Sequence, residues 1–235
     1  MRRRGPRTTP VVAALLGVLS GDGAMAQVAA SASLTSNLLY RGFSLSDGAP
    51  ALALSLAYDA PAGLYAGGSA IGDDARHRGA RFLGHVEYAG YAVRTPRGPT
   101  LDAGVTHANY ARASDSSYHI DATEFYAGVA SSAASAYLFY SPNYFSPGFR
   151  TLYADFNVTA HPARRWRLLA HLGVLTPTAG GADRRERYDA RVGVAVPFRG
   201  GEVQLTWSDS RPGLDYLNGY ATGRGVVAFS VTRAF

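Results

Sequence analysis

The sequence predicts an all-β chain closed into an antiparallel up-and-down transmembrane β-barrel of about twelve strands. Three observations carry that expectation. Hydrophobicity after Gln27 repeats with period two rather than 3.6. Short connections rich in Pro or Gly alternate with longer polar ones. The larger apolar residues share one face of each strand, while Asp, Glu, Arg, His, Ser and Gly occupy the other.

The alternation is plainest from Ala51 to Tyr58, where Leu52, Leu54, Leu56 and Tyr58 point one way and Ala51, Ala53, Ser55 and Ala57 the other. Tyr188 to Val196 and Glu202 to Ser208 repeat it with Val192, Val194, Val203, Leu205 and Trp207 on the apolar face. Leu101 to Thr106, Glu124 to Val129 and Leu152 to Val158 carry a weaker form of the pattern. Segments near 28–40, 63–71, 80–93, 134–144, 165–175 and 225–235 complete the set.

Asp59 to Ala62, Thr95 to Gly98, Ser131 to Ala133, His161 to Arg164 and Pro197 to Gly200 read as tight turns. Arg41 to Pro50, Gly72 to Gly79, Ala111 to His119, Phe145 to Gly148, Thr176 to Glu186 and Asp209 to Arg224 read as the loops of the opposite rim. An even-stranded meander with this rhythm puts both termini at the short-turn, periplasmic rim. Asp47-Gly48 reads as turn chemistry, with an Arg41–Asp47 ion pair as the competing use of that loop.

A water-soluble antiparallel sheet would place polar residues outside and Leu, Ile, Val and Phe inside. These segments suit the reverse, a barrel closed in lipid so that every backbone polar group is paired, around a hydrated or ion-paired lumen. Tyr is abundant, with 15 residues against 2 Trp. Its positions near strand ends, at Tyr40, Tyr58, Tyr110, Tyr137, Tyr144, Tyr188 and Tyr220, fit aromatic girdles at the lipid interfaces, with plain β propensity as the competing explanation.

The N-terminus supplies the compartment. Arg2 to Arg4 with Arg7, an apolar run from Val11 to Leu19, and Ala24-Met25-Ala26 form a secretory signal peptide over residues 1–26, leaving residues 27–235 as an outer-membrane barrel domain. The formal charge of +6 draws on those leader arginines, and no basic run interleaved with aromatics remains for nucleic acid. With no cysteine, disulfides and thiolate chemistry are excluded. No histidine spacing marks a metal site, and neither a catalytic triad nor a phosphate loop is legible, so no catalytic residue, metal or cofactor is expected. Ser141 to Asn143 with His171 is the nearest approach to a serine–histidine pair, and no motif supports it.

Thr35-Ser36-Asn37-Leu38-Leu39-Tyr40-Arg41-Gly42-Phe43-Ser44, followed by Ser46-Asp47 and Pro50-Ala51, resembles the start of the TorF family of porin-like proteins, also catalogued as the Gcw_chp group of bacterial proteins of unknown function. Gly63 to Gly67, Glu124 to Gly128 and Tyr140 to Phe145 extend the resemblance over most of the mature chain. The family more often has Asp where Asn143 stands, and often a Gln shortly after the Pro-Ala pair, where this chain has Leu52 and Ala53. The resemblance implies an outer-membrane location and a barrel, without a substrate. The C-terminal stretch ending in Phe235, with Val227, Phe229 and Val231 in register, is similar to the signal read by the barrel-assembly machinery, Arg233 being the unusual residue in it.

The residues expected to line the lumen are Glu87, Asp102, Glu124, Asp155, Arg187, Asp189, Arg191 and Glu202. They either bias a path for small hydrophilic solutes or pair across a narrow lumen and plug it. The function expected is a porin embedded in outer-membrane lipid. The other readings are a barrel scaffold for an enzyme or adhesin without an open pore, and a soluble periplasmic ligand-binding barrel.

Overall fold

The computed structural model describes residues 27–75, 79–96, 98–111, 119–180, 185–211 and 225–235; the expected leader lies outside them. Twelve antiparallel strands form a closed barrel: β1 (Gln27–Thr35), β4 (Ala51–Asp59), β5 (Leu64–Ala75), β6 (Gly79–Arg94), β7 (Thr100–Ala111), β8 (His119–Ala130), β9 (Ala134–Ser141), β10 (Arg150–Ala163), β11 (Trp166–Ala179), β12 (Arg187–Phe198), β13 (Gly201–Arg211) and β14 (Val226–Ala234). Each strand pairs with its neighbour in sequence, and β1 closes the ring against β14, Leu34 opposite Val231. Closure leaves no unpaired edge among these strands, which is the condition for a sheet in hydrocarbon.

The outer face is apolar. Leu52, Leu54, Leu56, Phe125, Phe156, Leu172, Val192, Leu205 and Phe229 are all exposed on it. Tyr58 and Tyr188 stand outward as a girdle would require. Tyr40, Tyr110, Tyr137 and Tyr144 instead lie inside the barrel, which corrects the girdle expectation for them, and Tyr220 lies outside the described residues. Arg233 sits at the short-turn rim with its guanidinium 5.5 Å from the Phe235 ring, its stem along the apolar outer face and its charge at the strand end.

Inside, glycine and tyrosine are matched across strands. Gly67 faces Tyr88, Gly90 faces Tyr65, Gly104 faces Tyr126 and Gly128 faces Tyr137, and a Cβ on any of these glycines would run into the facing ring or its hydroxyl. A strand glycine here makes room for an aromatic ring lying along the wall.

The largest departure from the expected meander is in the first long connection. β2 (Leu39–Tyr40) and β3 (Phe43–Ser44) form a separate two-stranded hairpin that is folded into the lumen. Arg41 and Gly42 at its tip have φ of 46° and 79°, the doubly left-handed geometry of a type I′ turn, which glycine accepts without strain. Asp47 and Gly48 repeat it at φ 51° and 73°, as the Asp-Gly pair leads one to expect. Leu38, Phe43 and Leu45 are buried against Ala53, Ile71, Leu83, Ala108 and Tyr110 of the wall. The upper lumen therefore holds an apolar core that the polar inner faces did not suggest.

Candidate functional site

The base of the hairpin is a small hydroxyl network. Ser44 Oγ donates to Asn37 Oδ1 at 2.6 Å and accepts from the Gly48 amide at 3.1 Å. Ser46 Oγ accepts from the Leu38 amide at 2.9 Å and donates to the Ala49 carbonyl at 2.7 Å. These bonds replace the backbone partners that a two-residue strand cannot supply.

The tip crosses the lumen and locks to the wall. Arg41 Nη2 donates to both Glu124 carboxylate oxygens, at 2.8 and 2.9 Å, and Tyr40 Oη donates to the same carboxylate at 3.1 Å. The guanidinium lies 3.7 Å from the ring centroid of Tyr153 and 5.2 Å from that of Tyr144, a cation–π seat between two phenols. Both charged side chains are buried, Arg41 at 10% exposure and Glu124 at 6%. On the far wall, Ser210 Oγ donates to the Gly42 carbonyl at 3.3 Å, and a Cβ at Gly42 would clash with Ser210 and crowd Asp189. Glycine is therefore demanded twice at this position, by its φ and by the close approach.

Burial alone would lower the Arg41 pKa, but the neighbouring Glu124 and phenols outweigh it and hold the guanidinium above its ordinary range. Burial also raises the Tyr40 phenol well above its ordinary value and pushes Tyr144 up to about 12. The tip is thus a cation among neutral phenols, with one carboxylate partner.

Of the residues expected to line the lumen, Asp102, Glu124, Asp155, Arg187, Asp189, Arg191 and Glu202 stand on inward positions, opposite in parity to the exposed Leu101, Phe125, Phe156, Tyr188, Val192 and Leu205. Asp102 accepts from Tyr65 at 2.6 Å and Tyr137 at 3.2 Å, and Tyr65 is linked to Tyr126. Asp189 is bonded to His171 Nε2 at 2.7 Å and accepts from Tyr153 at 3.0 Å. Asn157 bridges His171 and Asp155. Glu202 pairs with Arg167, and Asp73 pairs with Arg81 at 2.5 Å. These carboxylates are held in ion pairs and hydrogen bonds across the interior.

Glu87 is the exception and a correction. It faces out of the barrel with its side chain 68% exposed. The cause is a bulge: Ile71 pairs with Gly84 and Gly72 with Phe82, leaving Leu83 as an extra residue. Uninterrupted alternation from the outward Phe82 would have turned Glu87 inward; the extra residue reverses the parity of everything after it.

Arg41 engages Glu124, and Asp47-Gly48 takes the turn geometry. Ser141 Oγ donates to the Thr123 carbonyl at 2.8 Å, while both His171 nitrogens face Asn157 and Asp189, so the two do not form a nucleophile–base pair. Tyr153, Tyr65 and Tyr126 are not singled out by the sequence as lumen residues, and His171 stands out there only as a partner for Ser141. Tyr-Arg-Gly-Phe between apolar residues was the available hairpin signal for Arg41.

Two cavities remain beside the hairpin. One of about 190 Å³ is lined by Tyr88, Tyr126, Tyr137, Asp155, His171 and Arg191 among others. A second of about 90 Å³ runs along β1, β13 and β14 past Ser33, Thr35, Gln204, Thr206, Ser230 and Thr232. Arg191, Leu38 and Ser208 border both. The second cavity is a gap between the hairpin and the wall, with hydroxyl and amide side chains of β1, β13 and β14 along one side and Leu38, Leu39, Ala51, Ala53 and Ile71 in the rest of its lining.

No curated protein matches the chain. Among solved structures, the NanC porin is similar with a TM-score of 0.58 at 9% identity, over 88% of this chain and 98% of that one. The KdgM porin is similar with a TM-score of 0.54 at 10% identity, over 88% and 98%. At these identities the likeness is one of fold, a porin-like barrel. The model of the family described as "Bacterial protein of unknown function (Gcw_chp)" matches residues 20–235, and the blocks at Asn37 to Ser46, Glu124 to Tyr126 and Tyr144 to Phe145 meet at the lumen hairpin. The chain belongs to the Gcw_chp family.

Proposed function

We propose that this protein is an outer-membrane porin whose lumen is narrowed by its first loop and passes small hydrophilic solutes or ions by diffusion. The observation that carries the reading is the hairpin itself: it crosses the lumen yet leaves the gap lined by Ser33, Thr35, Gln204, Thr206, Ser230 and Thr232 along one wall. An apolar exterior fits hydrocarbon, and a gap with a hydroxyl- and amide-bearing side running past a fixed constriction fits a narrow channel. The Tyr-Arg-Gly-Phe block and its partners support the finer placement with the TorF type.

The signal peptide at 1–26, the lipid surroundings and recognition of the Phe235-terminated strand by the barrel-assembly machinery are parts of the same proposal. The mature chain from Gln27, reconstituted in planar lipid bilayers, is expected to show discrete, small single-channel steps. Silence from both this protein and a variant with the hairpin released ends the porin reading. Removal of Phe235 is expected to lower the assembled fraction in cells, read as loss of the heat-modifiable band in unheated electrophoresis; an unchanged band removes the assembly role.

A further inference from the structure

The outward position of Glu87 is part of a larger pattern. Two register rows of polar residues cross three adjacent strands on the outside of the barrel: His85, Asn109 and Asp121 in one, Glu87, His107 and Thr123 in the other. On β6 they lie between the exposed aromatics Phe82 and Tyr91. From β9 round through β14 to β4, the outward positions in the middle of the strands are Leu, Val, Phe, Trp and Ala, and polar outward residues such as Thr176 and Asp209 lie near the loop ends. Glu87, at the middle of β6, carries polarity further from the strand end than Thr176 or Asp209 does.

The residues of this polar patch are only loosely satisfied by one another. His85 Nε2 stands 3.7 Å from Glu87 Oε1, His107 Nδ1 is 3.0 Å from Thr123 Oγ1, and the two imidazole centroids are 6.5 Å apart. The Glu87 carboxylate keeps most of its surface uncovered. Facing lipid chains, a carboxylate in this state is unfavourable, since hydrocarbon supplies no partner. Beside the patch on β5 the outward residues are Gly68, Ala70 and Gly72, a flat strip that lets another wall come close.

We infer that the outer face of β5 to β8, centred on Glu87 and His107, is an interface that docks a second copy of this chain within the membrane. Charge decides the occupant. The patch holds carboxylates and imidazoles side by side, so it is complementary to itself: apposed about a twofold axis, the Glu87 of each copy faces the histidines of the other. An anionic lipid headgroup would instead call for a patch of one positive sign, and Glu87 and Asp121 oppose it. The inference depends on the barrel and its register, not on conduction, so a silent channel would leave it standing.

The chain has no cysteine, which makes a single-cysteine test clean. In native outer membranes, the full-length His107→Cys variant treated with a short bis-maleimide is expected to yield a covalent dimer. Leu205→Cys, on the opposite wall, is expected to stay monomeric under the same treatment. In mild detergent the wild-type chain should sediment as a multiple of the protomer mass, and the Glu87→Leu/His107→Leu double variant as a protomer that still shows heat-modifiable migration. A wild-type protein that is monomeric in detergent and gives no patch-specific cross-link in membranes overturns the inference and assigns the patch to lipid headgroups.

Discussion

Arg41→Ala is expected to free the hairpin and raise the single-channel conductance in planar bilayers well above that of the wild type. Arg41 is the one residue that joins the hairpin tip to Glu124 and to the Tyr153 ring at once. Removing it leaves the Glu124 carboxylate buried without its cation, a loss of about 3–5 kcal/mol for a buried pair. That corresponds to a roughly hundred- to several-thousand-fold fall in the docked population. The barrel does not need the hairpin for closure, because every wall strand is paired independently of β2 and β3. The expected outcome is therefore an undocked loop on an intact barrel, also visible as new protease cleavage between residues 36 and 50. Glu124→Gln should give a smaller increase, since Tyr40 and the cation–π seat remain. Equal conductance in Arg41→Ala and wild type would show that the hairpin is not the constriction.

The second large effect is on stability. Gly104→Val is expected to destabilise the barrel by roughly 1–3 kcal/mol through overpacking. A Cβ at Gly104 would sit 2.5 Å from both the Ala89 carbonyl and the Tyr126 hydroxyl. The carbonyl belongs to the neighbouring strand and has little room to yield, so Tyr126 must leave the wall. Its bond to Tyr65 then breaks, and the Tyr65 that holds Asp102 loses its brace. The control is Ala103→Val, one residue away on the outward side, which adds two methyl groups away from the Tyr126 ring. Urea unfolding of the two variants in detergent micelles measures the difference. If both unfold at the wild-type midpoint, the packing of tyrosine on glycine contributes no measurable stability.

Period-two alternation was enough to place the wall. Leu52, Leu54 and Leu56 announce a lipid face in three consecutive outward positions, and Asp102 and Glu124 announce the interior, because side chains on a strand have only two directions to take. Alternation also shows where such reading stops. At Leu83 one extra residue reverses the faces, and the only local signs of it are the adjacent apolar pair Phe82-Leu83 and the glycine after it. Glu87 was misplaced for that reason. The tyrosines were misread for a related one: Tyr137 carries the same β propensity whether it meets lipid headgroups or Gly128 on the next strand, and nothing local marks Tyr144 as the seat of the Arg41 guanidinium.

The amino-acid sequence by itself determined an antiparallel barrel of about twelve strands, apolar outside and polar on its inner face, which the structure closes at twelve, since a sheet pairs every backbone group only by closing on itself. Only the tertiary structure decided what fills that barrel. The docking of Arg41 on Glu124 joins residues 83 positions apart, and the seat formed by Tyr153 and Tyr144 exists only once β10 and the loop after β9 have been brought round the ring. Local pattern fixes which way a side chain points; which partner it meets across a lumen is set by strand register and closure, and these are properties of the whole ring.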